Sequence, residues 1–190
     1  MSRAGTETRT RVVNSAKERM RRHGVAATSM LDAIADAGAS RGSLYHYFPG
    51  GKTQLIEEAT VAACEEYTAA FALIENLDAT EAIPALVGYW RAQVEATDYS
   101  AGCPVVAAAL SGEETEGARA QAGTGFATWT KSIERMLLTS RVPASRAGAL
   151  ASLMLSAIEG AVIVSLAQRS AEPIEQAAAE LLRVVEAARA

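Results

Sequence analysis

The 190-residue chain has little of what most catalytic centres are built from. It holds two cysteines, Cys64 and Cys103, and two histidines, His23 and His46. The cysteines lack metal-ligand spacing, and a disulfide framework needs more of them. Neither histidine has a carboxylate at a spacing useful for acid–base work. No nucleophile elbow, Walker sequence or zinc pattern occurs, and Gly123-Thr124-Gly125, a fragment of a phosphate loop, follows no strand. No catalytic residue, metal or cofactor is therefore assigned, and an enzyme is not expected. Period-two alternation is almost absent and β-branched residues are sparse, which argues against strands. The N-terminal stretch is polar and Arg-rich, with no apolar run that reads as a secretory signal, so a cytoplasmic location is expected.

Apolar residues make up 49% and charged residues 21%, a globular balance. The net charge of −4 conceals an asymmetry. Residues 1–52 carry nine cations (Arg3, Arg9, Arg11, Lys17, Arg19, Arg21, Arg22, Arg41, Lys52) against Glu7, Glu18, Asp32 and Asp36. A basic head on an acidic body suits a protein that brings one end to phosphates and keeps the other away. A charged terminus that is merely solvated would look the same.

Apolar residues recur at three and four, so the chain reads as all-α. Val12, Val13, Ala16 and Met20 form one stripe, stopped by Gly24. Ser29, with Asp32 three residues on, caps a short second helix ended by Gly38. Ser40 can cap a third helix over 41–47, ended by Pro49-Gly50-Gly51. A long helix follows from Lys52 to about Asn76, and Thr80 caps the next. Pro104 suits the start of another, a helix through Phe126 and Trp129 follows, and Pro143 and Pro173 open the last two. The stretch 147–168 is long enough to span a bilayer, but Glu159 at its middle costs roughly 2.5–3.5 kcal/mol there. A helix buried on most sides by protein is the better reading, with no membrane involved. Ser152, Ser156 and Gly160, spaced by four, would let a partner helix approach, so the last two helices are a candidate homodimer surface.

Three short helices within about fifty residues satisfy the geometry of a helix-turn-helix, whose last helix enters the major groove. The run Thr28-Ser29-Met30-Leu31-Asp32-Ala33-Ile34-Ala35-Asp36-Ala37-Gly38-Ala39-Ser40-Arg41-Gly42-Ser43-Leu44-Tyr45-His46-Tyr47-Phe48 resembles the signature of the TetR family of regulators. Pro49-Gly50-Gly51-Lys52, with its extra turn residue, and Gly102-Cys103-Pro104 are similar to the LmrA/YxaF-type branch. The resemblance is specific over residues 8–56. Two departures are the order Ala33-Ile34, which family members usually reverse, and Arg19 where they carry an apolar residue; its stem is expected to snorkel along the roof helix.

Chemistry and resemblance name the same DNA-binding candidates. Thr28 and Ser29 can offer hydroxyl and backbone N–H groups to a phosphate. Arg41, Gly42 and Ser43 open the reading helix, where Arg41 can pair bidentately with guanine and Gly42 lets the backbone close in. Tyr45 is assigned to a base or thymine methyl, and Tyr47 to a phosphate. His46 stands either as a base reader or as a surface residue, and Lys52 clamps a phosphate. Arg3, Arg9 and Arg11 are placed along the backbone or in a minor groove.

The expected division is a helix-turn-helix domain over 1–51 and a helical effector-binding and dimerisation domain over 52–190. The resemblance implies an effector pocket in the second, and Tyr67, Phe71, Tyr89, Trp90, Phe126 and Trp129 are the rings available to line it, suiting an aromatic or drug-like ligand. The same rings can simply fill a core. Cys103, at an expected helix start, reads as a sensor thiol or a small buried hydrophobe. Glu159 is placed to accept a hydrogen bond from a ligand or from Ser165. The whole reads as a dimeric repressor of a palindromic double-stranded operator, released by a small-molecule effector. A helical module that binds protein instead of DNA remains the competing reading, and an activator is not distinguished from a repressor.

Overall fold

The computed structural model describes the backbone of residues 3–189 and all their side chains except those of Arg3, Ala4, Ser43, Leu44 and Tyr45. Among these residues there is no strand, as the all-α reading requires. The order is α1 (Arg3–His23), α2 (Met30–Asp36), a 3-10 turn (Arg41–Ser43), α3 (Leu44–Tyr47), α4 (Gly51–Ile74), α5 (Ala79–Ala96), α6 (Pro104–Ala109), a 3-10 turn (Glu113–Thr115), α7 (Glu116–Thr139), α8 (Ala144–Gln168) and α9 (Glu172–Ala188). The chain divides into two compact units, Met1–Glu66 with Cys103–Thr124, and Tyr67–Gly102 with Gly125–Ala190.

In the first unit the α1 stripe Val12, Val13, Ala16 and Met20 is buried, as are Ala33 and Ile34 of α2 and Leu55 and Ile56 of α4. These helices bury one another's apolar faces, and α2, at seven residues, is far too short to stand alone. α1 packs on both α2 and α6, so a segment from far along the sequence completes this core. Gly24 and Gly38 sit at φ +76° and +64°, left-handed values that end α1 and turn the chain after α2. The helix expected over 41–47 is instead a 3-10 turn followed by one turn of α-helix, with Gly42 weakening α-helical continuity between them.

Arg19 departs from its expected place along the roof helix. It reaches α2, donating to Asp36 at 2.7 Å and Asp32 at 3.1 Å, while Ser15 donates to the same Asp36 carboxylate at 3.2 Å. The two acids lie four apart on one face of α2, so one guanidinium spans both. The Arg19 hydrogen bond holds the Asp36 carboxyl below its ordinary range and raises the guanidinium in turn.

In the second unit α5, α8 and α9 pack pairwise. The N-cap of α5 is Asp78, not Thr80: both the backbone N–H and the hydroxyl of Thr80 donate to Asp78 Oδ1, at 2.9 and 2.8 Å. An ionised carboxylate outcompetes a hydroxyl for that position because it accepts more strongly. Arg189, beyond the end of α9, donates to the same oxygen at 2.7 Å. The Thr80 backbone hydrogen bond is the main cause holding the Asp78 carboxyl down to about 2. A folded pKa below the unfolded one adds stability above the ordinary carboxylate range, lost as pH falls toward about 2. Asp78→Ala is therefore expected to cost about 1 kcal/mol at neutral pH. Urea unfolding across a pH series should show that gap close on acidification; a gap independent of pH would remove the carboxylate from the explanation.

α8 is apolar and long enough to cross a membrane by length and composition. It is not buried on most sides. Ala147, Leu150, Met154, Ile158 and Val162 are buried, while Ser152, Leu153, Ser156, Ile163 and Val164 form an exposed, uncharged stripe with the half-buried Gly160. The residues 152, 153, 156, 160, 163 and 164 fall within about a third of the helix circumference.

Candidate nucleic-acid interface and ring cluster

Local chemistry builds the reading head. Ser29, in extended conformation, is the N-cap of α2, and its Oγ accepts the N–H of Asp32 at 3.4 Å. That leaves the Ser29 hydroxyl hydrogen available to an anion. The turn after α2 closes through Gly38 N–H to Ala35 O and Ala39 N–H to Ile34 O, both at 3.0 Å. It delivers Arg41 and Gly42 to the surface as exposed residues. Ser29, Arg41 and Lys52, from three separate elements, meet with Leu31 around one concavity of about 570 Å³.

Thr28 also lines this concavity, but it faces inward. It is 1% exposed, its hydroxyl donates to Gly24 O at 2.8 Å and its backbone N–H to Val25 O at 3.1 Å. Both donors expected to meet a phosphate are already spent on closing the end of α1, so Thr28 is a structural residue here. Lys52 Nζ donates to Ala26 O at 2.8 Å, which ties the start of α4 to the same loop. A Cβ at Gly42 would meet nothing within 4 Å, so nothing inside the protein requires that glycine. His46 is exposed and Tyr47 half-buried, their rings 5.4 Å apart and tilted by 60°. The side chains of Ser43 and Tyr45 lie outside the described residues.

Arg9 is not extended along a free arm. It lies on α1, donates to Glu58 at 2.5 Å and covers the ring of Phe48. Arg11, on the same helix, is exposed and donates to Thr8 Oγ1 at 3.3 Å, and the Arg3 side chain lies outside the described residues. Leu31 was missed by sequence reasoning: nearly half of it is exposed on the rim of the concavity. Its place next to a helix cap was the available signal.

The six expected rings do come together, all in the second unit. Trp129 is the hub, stacked on Phe71 at 5.5 Å and met edge-on by Tyr67 at 5.5 Å and Phe126 at 5.3 Å. Tyr67 stacks on Trp90 at 5.6 Å, and Tyr89 meets both edge-on. Trp129 Nε1 donates to Thr68 Oγ1 at 3.0 Å, which satisfies the indole. Tyr67, Phe71, Trp90 and Trp129 are buried; Tyr89 and Phe126, at the ends, are half-buried.

Glu159 is half-buried on α8, with Oε2 shut away from solvent. It receives no hydrogen bond from Ser165, whose buried hydroxyl makes none among the described residues. Six residues along a helix put the two about a third of a turn apart around its axis. Cys103 is buried and is the N-cap of α6, in the first unit rather than with the rings. At Cys64, burial pushes the thiol up to about 11, so at neutral pH it is protonated and a poor nucleophile.

Among the described residues, the helical fold with its capped short helix, glycine turn and following reading segment has the form of a helix-turn-helix. The comparisons make this specific: residues 12–59 match the family model of bacterial regulatory proteins of the TetR family, and residues 79–180 that of the LmrA/YxaF-like regulator C-terminal domain. An HTH-type transcriptional regulator of Mycobacterium tuberculosis is 36% identical over 173 residues, covering 88% of each chain. The HTH-type regulator LmrA of Bacillus subtilis is 28% identical over 172 residues, covering 88% of this chain and 91% of its own. A TetR transcriptional regulator from Chloroflexus aurantiacus superposes with a TM-score of 0.82 at 28% identity, covering 97% of both chains. The chain belongs to the TetR family, in its LmrA/YxaF-like branch. It is a transcriptional regulator and, as expected from the sequence, not an enzyme.

Proposed function

We propose that this regulator is a cytoplasmic, ligand-responsive repressor: a homodimer through α8 and α9 that grips a palindromic operator with two reading heads and lets go when a small aromatic or drug-like molecule binds. The observation that carries the DNA half is the convergence of Ser29, Arg41 and Lys52 on one concavity. A hydroxyl, a guanidinium and an ammonium at the mouth of a reading helix supply both base-edge and phosphate contacts. Gly42, His46 and Tyr47 continue that surface, and Ser43 and Tyr45 are assigned to the same segment by sequence. Thr28 acts behind it, by holding the loop. The uncharged α8 stripe supports the dimer, since an exposed apolar strip with small residues suits close helix approach and costs solubility otherwise. The ring cluster supports the effector half, with Tyr89 and Phe126 as its accessible ends.

α4 links the two. Lys52 is in its first turn, and Tyr67 and Phe71 lie in its last third. A ligand that parts the rings shifts the helix that carries Lys52. Coupling of about 1–3 kcal/mol is typical of such linkage and suffices for release.

Selection of a random duplex library by the purified full chain, at two salt concentrations, tests the reading. A two-fold palindrome with half-sites about 34–36 Å apart is the expected product. Weak, salt-sensitive binding with no enriched sequence would reject it and bring the protein-interaction reading forward.

A further inference from the structure

The far end of the reading helix is anchored by side chains from α1 and α4. α3 is four residues long, and Phe48, which follows it, is fully buried. Arg9 of α1 lays its guanidinium over the Phe48 ring, 5.3 Å from the centroid, and donates to Glu58 of α4 at 2.5 Å. Gln54, one turn earlier on α4, donates to that same carboxylate at 2.9 Å. The Gln54 Oε1 accepts the N–H of Gly50 at 2.8 Å. The turn that leaves the reading helix is thus held at two points, a ring and a backbone N–H, by groups joined through Glu58.

The grip has little slack. A Cβ at Gly50 would stand 3.0 Å from Gln54 Cβ and 3.1 Å from its Oε1. Gly51 is at φ +69°, where any other residue is strained. Arg9 and Glu58 are 33% and 27% exposed, so the pair is shielded more than an ordinary surface ion pair.

We infer that Gln54 and Glu58 are positioning residues for sequence reading, which set the pose of residues 41–47 through Gly50, Arg9 and Phe48 without touching DNA themselves. The inference rests on the operator-binding reading. Base-edge hydrogen bonds tolerate displacements of only about 0.5 Å, as other preorganised sites do. Phosphate contacts are largely Coulombic and carry no sequence information. Loosening the anchor should therefore damage discrimination and spare non-specific affinity.

The probe is the duplex that the wild-type chain selects, set against a scrambled duplex of equal length. The full-length variants are Glu58→Gln, Gln54→Ala, Glu58→Arg and the charge exchange Arg9→Glu with Glu58→Arg. Glu58→Gln and Gln54→Ala are each expected to lower the ratio of specific to non-specific affinity about tenfold. The scrambled-duplex Kd, its salt dependence and the helical circular dichroism should stay as in the wild type. The charge exchange should regain part of the discrimination that Glu58→Arg alone loses. Equal losses on both duplexes, or an unchanged ratio, or no rescue by the exchange, would overturn the positioning role. Should Glu58→Gln fold poorly, Gln54→Ala, which leaves the ion pair intact, carries the test. A wild type that selects no duplex overturns the operator reading and this inference with it; an enriched duplex bound alike by wild type and variants overturns this inference alone.

Discussion

Ser156→Arg on α8 is expected to yield a folded monomer that has lost its operator. Ser156 lies at the middle of the exposed stripe, between Ser152 and Gly160 and beside Leu153, Ile163 and Val164, which are 53%, 50% and 42% exposed. The space beside Gly160 is open, with nothing within 4 Å of a Cβ there. In a two-fold interface a single substitution enters twice, so two guanidinium groups would face each other across a helix pair that only small residues allow to close. Burying such charges without partners costs several kcal/mol, enough to dissociate a standard interface. Loss of the second reading head then removes the effective-concentration gain of bivalent binding, about a hundred- to ten-thousand-fold in affinity. Sedimentation velocity and titration of the selected duplex measure both effects, with Ala85→Arg, on an exposed position of α5, as the charge control. A Ser156→Arg chain that sediments and binds like the wild type would place the dimer contact elsewhere.

Arg41 and Lys52 are expected to fail in different ways. Arg41 is exposed at the start of the reading segment, on the rim of the concavity, where a bidentate contact to guanine is worth about 1–3 kcal/mol of discrimination. Arg41→Ala should therefore relax preference at one position of each half-site, with little change in stability. Lys52 is expected to supply charge to a phosphate, so its loss should weaken all duplexes alike and lower the salt slope by about one. Its hydrogen bond to Ala26 O complicates the alanine variant, which also releases the loop. Lys52→Gln separates the two effects, because an amide can still donate to that carbonyl while carrying no charge. If Lys52→Gln keeps the wild-type slope, the ammonium is a loop tie and not a phosphate clamp. If Arg41→Ala unfolds the head, its assignment to the groove is wrong.

Much of the head was legible along the chain because the signals that make it are local. Ser29 capping α2, Gly24 and Gly38 at left-handed turns, and Pro104 opening α6 each depend on atoms within a few residues, and the structure has them where the pattern placed them. The stripe Val12, Val13, Ala16 and Met20 told its own burial for the same reason: helical periodicity is a short-range property. Local reading failed where two neighbours competed for one role, as Asp78 and Thr80 did at the start of α5. It also failed where a helix was interrupted, as at Gly42.

By itself, then, the sequence determined an all-helical chain, a capped and glycine-punctuated reading head with surplus positive charge, and a long apolar α8. Only the tertiary structure decided what the long and polar side chains do. It turned the Thr28 hydroxyl inward to Gly24, sent Arg19 across to Asp32 and Asp36, tied Arg9 to Glu58, and gathered six rings drawn from α4, α5 and α7. It also brought 103–124 into the same unit as the head, and left one side of α8 uncovered. Caps, turns and periodicity are set by sterics and hydrogen bonds within about a turn of chain, whereas the partner of a flexible side chain depends on which distant helix packs beside it. That choice is made by the packing of the whole fold and not by the local sequence.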